Sequence, residues 1–281
     1  MLSRQVVLIT GCSSGIGRAA ALEAARRGHT VFATARDASG TAGLEKEPGI
    51  RSLTLDVTDE GSIRRAVAEV LSQAGRLDAL VNNAGYGQYG AVEDVTAEEW
   101  RRQFEVNLFG AVEAVRAVLP AMRAARRGTI VNVSSVAGKI AIPFAAPYCA
   151  SKHALEAVSD ALRVELAPFG IRVAVIEAGP IATKFGERAR GSVARLLSRP
   201  GPYSRFYGNA ERAMDTDFQA GKLPAQAVAR VIVDAIEAQK PKTRYRVTRM
   251  ARALIPLRRL MPDRFFDRRM KKLLRLPDRV D

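Results

Sequence analysis

The sequence predicts a three-layer α/β domain, a parallel sheet of about seven strands covered by helices on both faces. Three observations predict it. Short aliphatic runs alternate with helical stretches of a dozen or more residues; the runs are apolar on both faces; and a glycine-rich turn follows the first run and opens the first helix. A strand apolar on both faces must be buried on both, and a parallel sheet between helical layers provides that burial. At 281 residues and 47% apolar composition the chain is long enough for one large domain with a sizeable core.

The elements follow in order. Residues 5–10 are a first strand ending at glycine, and 16–27, rich in alanine with one Glu and three Arg, is the helix behind it. Residues 30–35 and 50–55 are the second and third strands. A helix over 63–74 starts near Asp59 or Glu60 and stops at Gly75. Residues 79–81 give a fourth strand, 98–125 a long helical region and 129–133 a fifth strand. A helix over 150–167 closes at Pro168 and Gly170, ahead of a sixth strand at 171–176. A helix over 225–239 and a last strand at 244–247 complete the alternation, so that 1–247 form one domain. Residues 183–222 break the pattern with glycines, prolines, Tyr203, Phe206 and Tyr207. Such an insertion lies at the carboxyl ends of the strands, where ligands bind, and is read as a helical lid over the substrate.

Charge separates the remainder, 248–281, as a basic extension. Forty-four Lys and Arg against 29 Asp and Glu give +15, and residues 240–281 hold 15 basic and 4 acidic residues, +11 of that total. Over 249–259 and 265–276 Leu, Ile, Met and Phe alternate with Arg and Lys at helical spacing, with Pro256, Pro262 and Pro277 as breaks. A segment of this kind packs its apolar stripe on the domain or a second subunit and leaves its arginines in water, or it lies on an anionic membrane surface. Short, proline-broken helices favour packing; peripheral membrane contact is the second reading. No reading module accompanies the charge, so nucleic acid is not an expected partner. No apolar run approaches the roughly 20 residues of a membrane span, and no secretory signal opens the chain, which suggests a cytoplasmic protein. Cys12 and Cys149 are too few for a disulfide framework, and with His29 and His153 they suggest no metal site.

Thr10-Gly11-Cys12-Ser13-Ser14-Gly15-Ile16-Gly17 joins strand to helix. Gly11 permits the turn, Gly15 lets backbone approach a diphosphate, and Gly17 lets helix pack on sheet, with phosphate charge at a helix N-terminus. This is the start of a Rossmann-type doubly wound fold. Where an NAD enzyme has a carboxylate for the ribose hydroxyls, Arg36 follows Ala35. A guanidinium can pair with a 2′-phosphate that a carboxylate would repel, so the cofactor expected is NADP, with Ser13 as an added donor. Read alone, Arg36 is equally a solvated surface arginine. Asp56 and Val57 after the third strand, and Asn83, Ala84 and Gly85 after the fourth, face the same crevice; each is also ordinary turn chemistry.

Ser135, Tyr148 and Lys152 are the candidate chemistry. Tyr148 and Lys152 are four apart on a helix and share a face, so an ammonium can lie near the phenol and favour its ionised form. Ser135 follows the fifth strand and can hydrogen-bond a carbonyl as charge develops. Asn107, a poor helix former in the long helical region, is expected to hold a kink or a water linking Lys152 to solvent. Taken singly, these are also a core aromatic, a solvated lysine, a turn serine and a helix-face asparagine.

Together the motifs resemble those of the short-chain dehydrogenase/reductase family, from Val6 to about Val247. The likeness covers the turn at 10–17, Asn-Asn-Ala-Gly at 82–85, and Asn107, Ser135, Tyr148 and Lys152 at the positions of the family's catalytic residues. The resemblance implies an adenine-binding role for Asp56, selects Ser135 over Ser134, and gives Thr183 to the nicotinamide carboxamide. The family's Pro-Gly after the sixth strand is inverted here as Gly179-Pro180, with Ile181 and Thr183 in place. The Val-Phe-Ala-Thr-Ala-Arg run at 31–36 and the C-terminal extension resemble the branch holding hydroxysteroid and retinol dehydrogenases. What this implies is hydride transfer between NADP(H) and a carbonyl or secondary alcohol, in a homodimer or homotetramer. Ile142, Pro143, Phe144, Tyr86 and Tyr89 would suit a lipophilic substrate. A catalytically silent NADP-binding regulator, or a membrane- or partner-docking protein on the same fold, is the alternative.

Overall fold

The structure, a computed structural model, describes residues 4–197, 201–209 and 223–277. Parts of the expected lid (198–200 and 210–222) and the last four residues of the extension therefore lie outside the described residues.

Strands β1 (Val6–Ile9), β2 (Thr30–Ala35), β3 (Ile50–Thr54), β4 (Ala79–Asn82), β5 (Gly128–Ser135) and β6 (Ile171–Ala178) are joined by helical crossovers. Short strands β7 (Ile181–Ala182) and β8 (Leu223–Pro224) pair with each other, and β9 (Arg244–Arg246) adds to the main sheet. The seven-stranded sheet has the order β3-β2-β1-β4-β5-β6-β9, and every pairing is parallel. The order reverses between β1 and β4, and the crevice outside that reversal is where such sheets bind ligands.

Alternation within the strands assigns the two layers. Val7, Ile9, Val31, Ala33, Val81, Val131 and Ile176 pack against α1 (Gly15–Arg26) and α7 (Ala225–Glu237). Their neighbours Val6, Leu8, Phe32, Leu80, Ile130 and Val173 face α2 (Glu60–Ala74) and α4 (Gly110–Ala124). The alanines of α1 let it lie close to the sheet, as its Ala-rich sequence requires.

Three departures from the sequence expectation bear on the site. The single helix over 98–125 is α3 (Ala97–Phe104), one π-turn (Glu105–Phe109) and α4, with Asn107 buried inside the π-turn. The helix over 150–167 begins earlier, as α5 (Ala146–Glu165), because Pro147 occupies its first turn, where a missing N–H costs nothing. Tyr148 thus sits inside the helix. The start of the lid forms α6 (Phe185–Leu197), in agreement with the helical lid expected from the sequence. In the extension, α8 (Arg249–Leu260) and α9 (Asp263–Leu274) are separated at Pro262, whereas Pro256 lies inside α8 without ending it.

Candidate active site

The carboxyl ends of β1 to β6 open on one cavity of about 1140 Å³. Gly11, Ser13, Ser14, Gly15, Ile16, Arg36, Asp56, Val57, Asn83, Ala84, Gly85, Pro180, Ile181 and Thr183, all expected from sequence at the cofactor, line it. Thr10 and Gly17 stand behind the wall. Thr10 Oγ1 accepts from the backbone N–H groups of Asn83 and Ala84, each at 3.0 Å, and so ties the β1 turn to the end of β4. A Cβ on Gly17 would meet Asn83 Nδ2 at 2.3 Å and the Gly11 carbonyl at 2.4 Å, so only glycine lets α1 start this close to the sheet. Gly11 itself adopts φ +74°, the left-handed turn its position needs.

The donor set at this end fits a dinucleotide phosphate. Ser14 caps α1 without a side-chain hydrogen bond, and no acidic residue lies in the first turn. The leading N–H groups of a twelve-residue helix are left to the cavity with their positive partial charge. Arg36 lines the cavity from the end of β2. The neighbouring carboxylate, Asp37, is turned to its own loop, where Oδ1 accepts from Gly40 N at 2.9 Å and from the Ser39 hydroxyl. Asp56 Oδ1 accepts from both the backbone N–H and the hydroxyl of Thr58, at 2.9 and 2.8 Å.

Ser135, Tyr148 and Lys152 meet at the far end of the same cavity. Burial pushes the Tyr148 phenol up to about 12, opposed by a hydrogen bond with Ser135. Burial also pushes the Lys152 ammonium down to about 8, opposed by the charge of Glu156. Lys152 Nζ donates to the Val133 carbonyl at 2.8 Å. The sequence led us to expect an ammonium lowering the phenol; in this structure desolvation dominates at both groups. Ser135 Oγ accepts from Ala137 N at 3.1 Å, which fixes it at the mouth of β5, while Ser134 is buried with Oγ 2.7 Å from where a Cβ on Gly138 would sit. Asn107 Oδ1 accepts from Tyr86 N, and its Nδ2 donates to the Tyr86 carbonyl and to Ser151 Oγ, at 3.1, 3.0 and 3.2 Å. The first two bonds tie the π-turn to the loop after β4, and the third ties it to α5 one residue before Lys152.

Behind Lys152 lies a buried ion cluster that the sequence reading missed. Glu156, one turn on from Lys152, binds Lys139 Nζ at 2.8 Å and Arg244 at 3.0 Å. Glu177 on β6 binds Arg244 and Arg246. The available signal was the spacing: Glu156 is four residues after Lys152 on α5. Two of the basic residues near the C-terminus are therefore internal partners.

The opposite wall is apolar. The Tyr148 ring stacks with Tyr89 at 6.2 Å and tilts against Phe185 at 5.2 Å between centroids. Tyr86, Ile142, Pro143 and Phe144 join them in the lining, as the sequence suggested for a lipophilic substrate. Tyr207 donates to Asp94 and accepts from Ala91 N, pinning the segment 201–209 to the β4–α3 loop. The extension completes the chamber: Met250, Leu254, Leu257 and Met261 of α8 and its exit, and Phe265, Phe266, Met270, Leu273 and Leu274 of α9, line the cavity at helical spacing. Ala251 and Ile255 anchor α8 on Val136 and Ile140, and Leu274 joins Phe144, Leu196 and Tyr207. The inverted Gly179-Pro180 pair has its physical reason here. A Cβ at 179 would lie 2.2 Å from Oγ1 of Thr248, which caps α8 by accepting from Ala251 N at 3.0 Å.

Cys12 and Cys149 are buried with raised thiols, Cys12 to about 12, which leaves both as packing side chains. Among the described residues no cluster could hold a metal ion, and no helix is long and apolar enough to cross a membrane.

Residues 5–193 match the family described as short chain dehydrogenase. Curated relatives include a 3-ketodihydrosphingosine reductase of Bacteroides thetaiotaomicron, 36% identical with 89% of this chain and 90% of that protein covered. An NADPH-dependent 3-dehydrocapnine reductase of Ornithobacterium rhinotracheale is 36% identical over 95% of this chain and 97% of that protein. The human 17-beta-hydroxysteroid dehydrogenase type 1 is 36% identical over 92% and 81%. Among solved structures, a short-chain dehydrogenase from Streptomyces avermitilis superposes with a TM-score of 0.80 at 33% identity, covering 99% of this chain and 100% of that one.

Proposed function

The chain belongs to the short-chain dehydrogenase/reductase family, oxidoreductases of carbonyl and alcohol groups, and on that premise we propose that it uses NADP(H) and acts on a lipophilic ketone or secondary alcohol with Tyr148 as acid/base. The observation that carries the reading is one continuous cavity with an uncapped helix N-terminus and Arg36 at one end and Tyr148, Ser135 and an apolar chamber at the other. Bound NADP(H) would supply or accept the hydride. Gly11 to Ile16 and the N-terminus of α1 would hold its diphosphate, Arg36 and Ser13 its 2′-phosphate, Asp56, Val57 and the 83–85 turn its adenosine side, and Pro180, Ile181 and Thr183 its carboxamide.

The chain's own residues account for the proton. Tyr148 in its neutral form donates to the carbonyl oxygen during reduction, and a phenol pushed up to about 12 keeps that proton at neutral pH. Ser135 donates to the same oxygen as negative charge builds there. Lys152, held by the Val133 carbonyl one helical turn from Tyr148, would ease ionisation of the phenol by its positive charge. Asn107 acts through Ser151 and the Tyr86 backbone, keeping α5 in place. The names of the two lipid-acting relatives support a lipophilic substrate, and the NADPH-dependent one supports the cofactor.

The test is NADPH and NADH oxidation against long-chain 3-oxo compounds, aromatic aldehydes and steroid ketones. We expect preference for NADPH, and Arg36→Glu should weaken it roughly 10- to 100-fold by removing a charge-assisted bond and adding repulsion. Equal use of both cofactors by the unsubstituted protein would refute the role of Arg36. NADP binding without turnover of any carbonyl would favour a silent regulator.

A further inference from the structure

We infer that the face carrying α8 and α9 rests on an anionic lipid bilayer, so that the chamber takes a lipid-borne substrate directly from the membrane; this rests on the lipophilic-substrate reading above. Three observations carry it. First, of the eleven exposed large apolar side chains among the described residues, five (Leu254, Leu257, Leu260, Phe265 and Leu273) lie on these two helices. Second, four of those five also line the cavity, so the apolar surface in contact with water is the rim of the chamber itself. Leu260, 84% exposed, extends that rim outward without lining the cavity. Third, residues 249–274 hold nine Lys and Arg against Asp263 and Asp267, a net of +7. Arg252, Arg259, Arg264 and Arg268 are exposed on these helices.

An anionic lipid surface matches this pair of helices: its headgroups take their exposed guanidinium groups, and its acyl layer takes Leu260 and the leucines and phenylalanine at the cavity rim. A second copy of this chain is the poorer occupant, since two surfaces of net +7 repel. The anchoring of α8 through Ala251 and Ile255 on Val136 and Ile140 holds the rim next to Ser135, so docking and substrate admission would use one surface.

The experiment sediments the full chain with vesicles of phosphatidylcholine alone or mixed with phosphatidylglycerol, at low and high salt. We expect binding to the mixed vesicles that weakens with salt and is absent from the neutral ones. Arg264→Gln and Arg268→Gln should each lower partitioning about fivefold, the value of one basic residue at such a surface. Leu260→Glu should also release the protein. None of these three positions lines the cavity, so turnover of a short water-soluble ketone should stay unchanged, which confirms folding and separates this test from that of the oxidoreductase reading. Failure to sediment with mixed vesicles would overturn the inference. So would unaltered binding by all three variants, or a dimer in velocity sedimentation that Leu260→Glu dissociates.

Discussion

Burial acts in opposite directions on the two titratable side chains at the centre of the site, raising Tyr148 to about 12 and lowering Lys152 to about 8. Both shifts favour the neutral form. The phenol therefore keeps its proton across the physiological range, while the lysine loses its charge as pH rises through about 8. If the ammonium assists ionisation of the phenol, carbonyl reduction should be steady near neutrality and fall above about pH 8. Lys152→Arg, whose guanidinium stays charged, should flatten that fall even if it lowers the plateau; a fall that persists unaltered would assign it elsewhere. Tyr148→Phe removes the proton donor without emptying the cavity. Turnover should drop roughly 100- to 10,000-fold with cofactor affinity retained in a binding titration.

At the scale of elements, the join between β6 and α8 is tight enough to predict from. Gly179 leaves the space into which the capping hydroxyl of Thr248 fits. Gly179→Ala forces the two apart, and overpacking of this kind costs about 1–3 kcal/mol. Thr248→Ala removes the cap alone, at about 1 kcal/mol. Denaturant unfolding should rank the two variants in that order, and both should raise KM for a long-chain substrate because α8 walls the chamber. The reverse order would mean that the loop, not the helix, yields. The π-turn between α3 and α4 has a comparable consequence: Asn107 satisfies the Tyr86 backbone from within it, so a change there moves the 83–86 loop as well as α5.

For the whole molecule, the extension is part of the chamber. Ile255 is buried between α8 and the β5 end of the sheet, against Val136 and Ile140. Ile255→Ala should cost about 2–4 kcal/mol if the helix stays in place around the void. A much smaller loss, with long-chain turnover intact, would show that α8 stands free of the domain. The net charge divides in the same way. Arg244 and Arg246 neutralise Glu156 and Glu177 inside the protein, whereas the cations of α8 and α9 are largely presented outward.

By itself the sequence determined the parallel sheet, because strands such as 129–133 and 171–176 are apolar on both faces, and it located the cofactor turn, because Gly11 and Gly15 stand where the backbone turns left-handed and Gly17 completes their spacing. It also paired Tyr148 with Lys152, since a separation of four is a property of any helix. Only the tertiary structure decided what depends on residues far apart in the chain. It brought Arg244 to Glu156, Thr248 to Gly179, and the stripe from Met250 to Leu274 to the mouth of the cavity. Helical periodicity shows that a stripe must be covered but not by what, and the desolvation that sets Tyr148 and Lys152 exists only once the chain has closed around them.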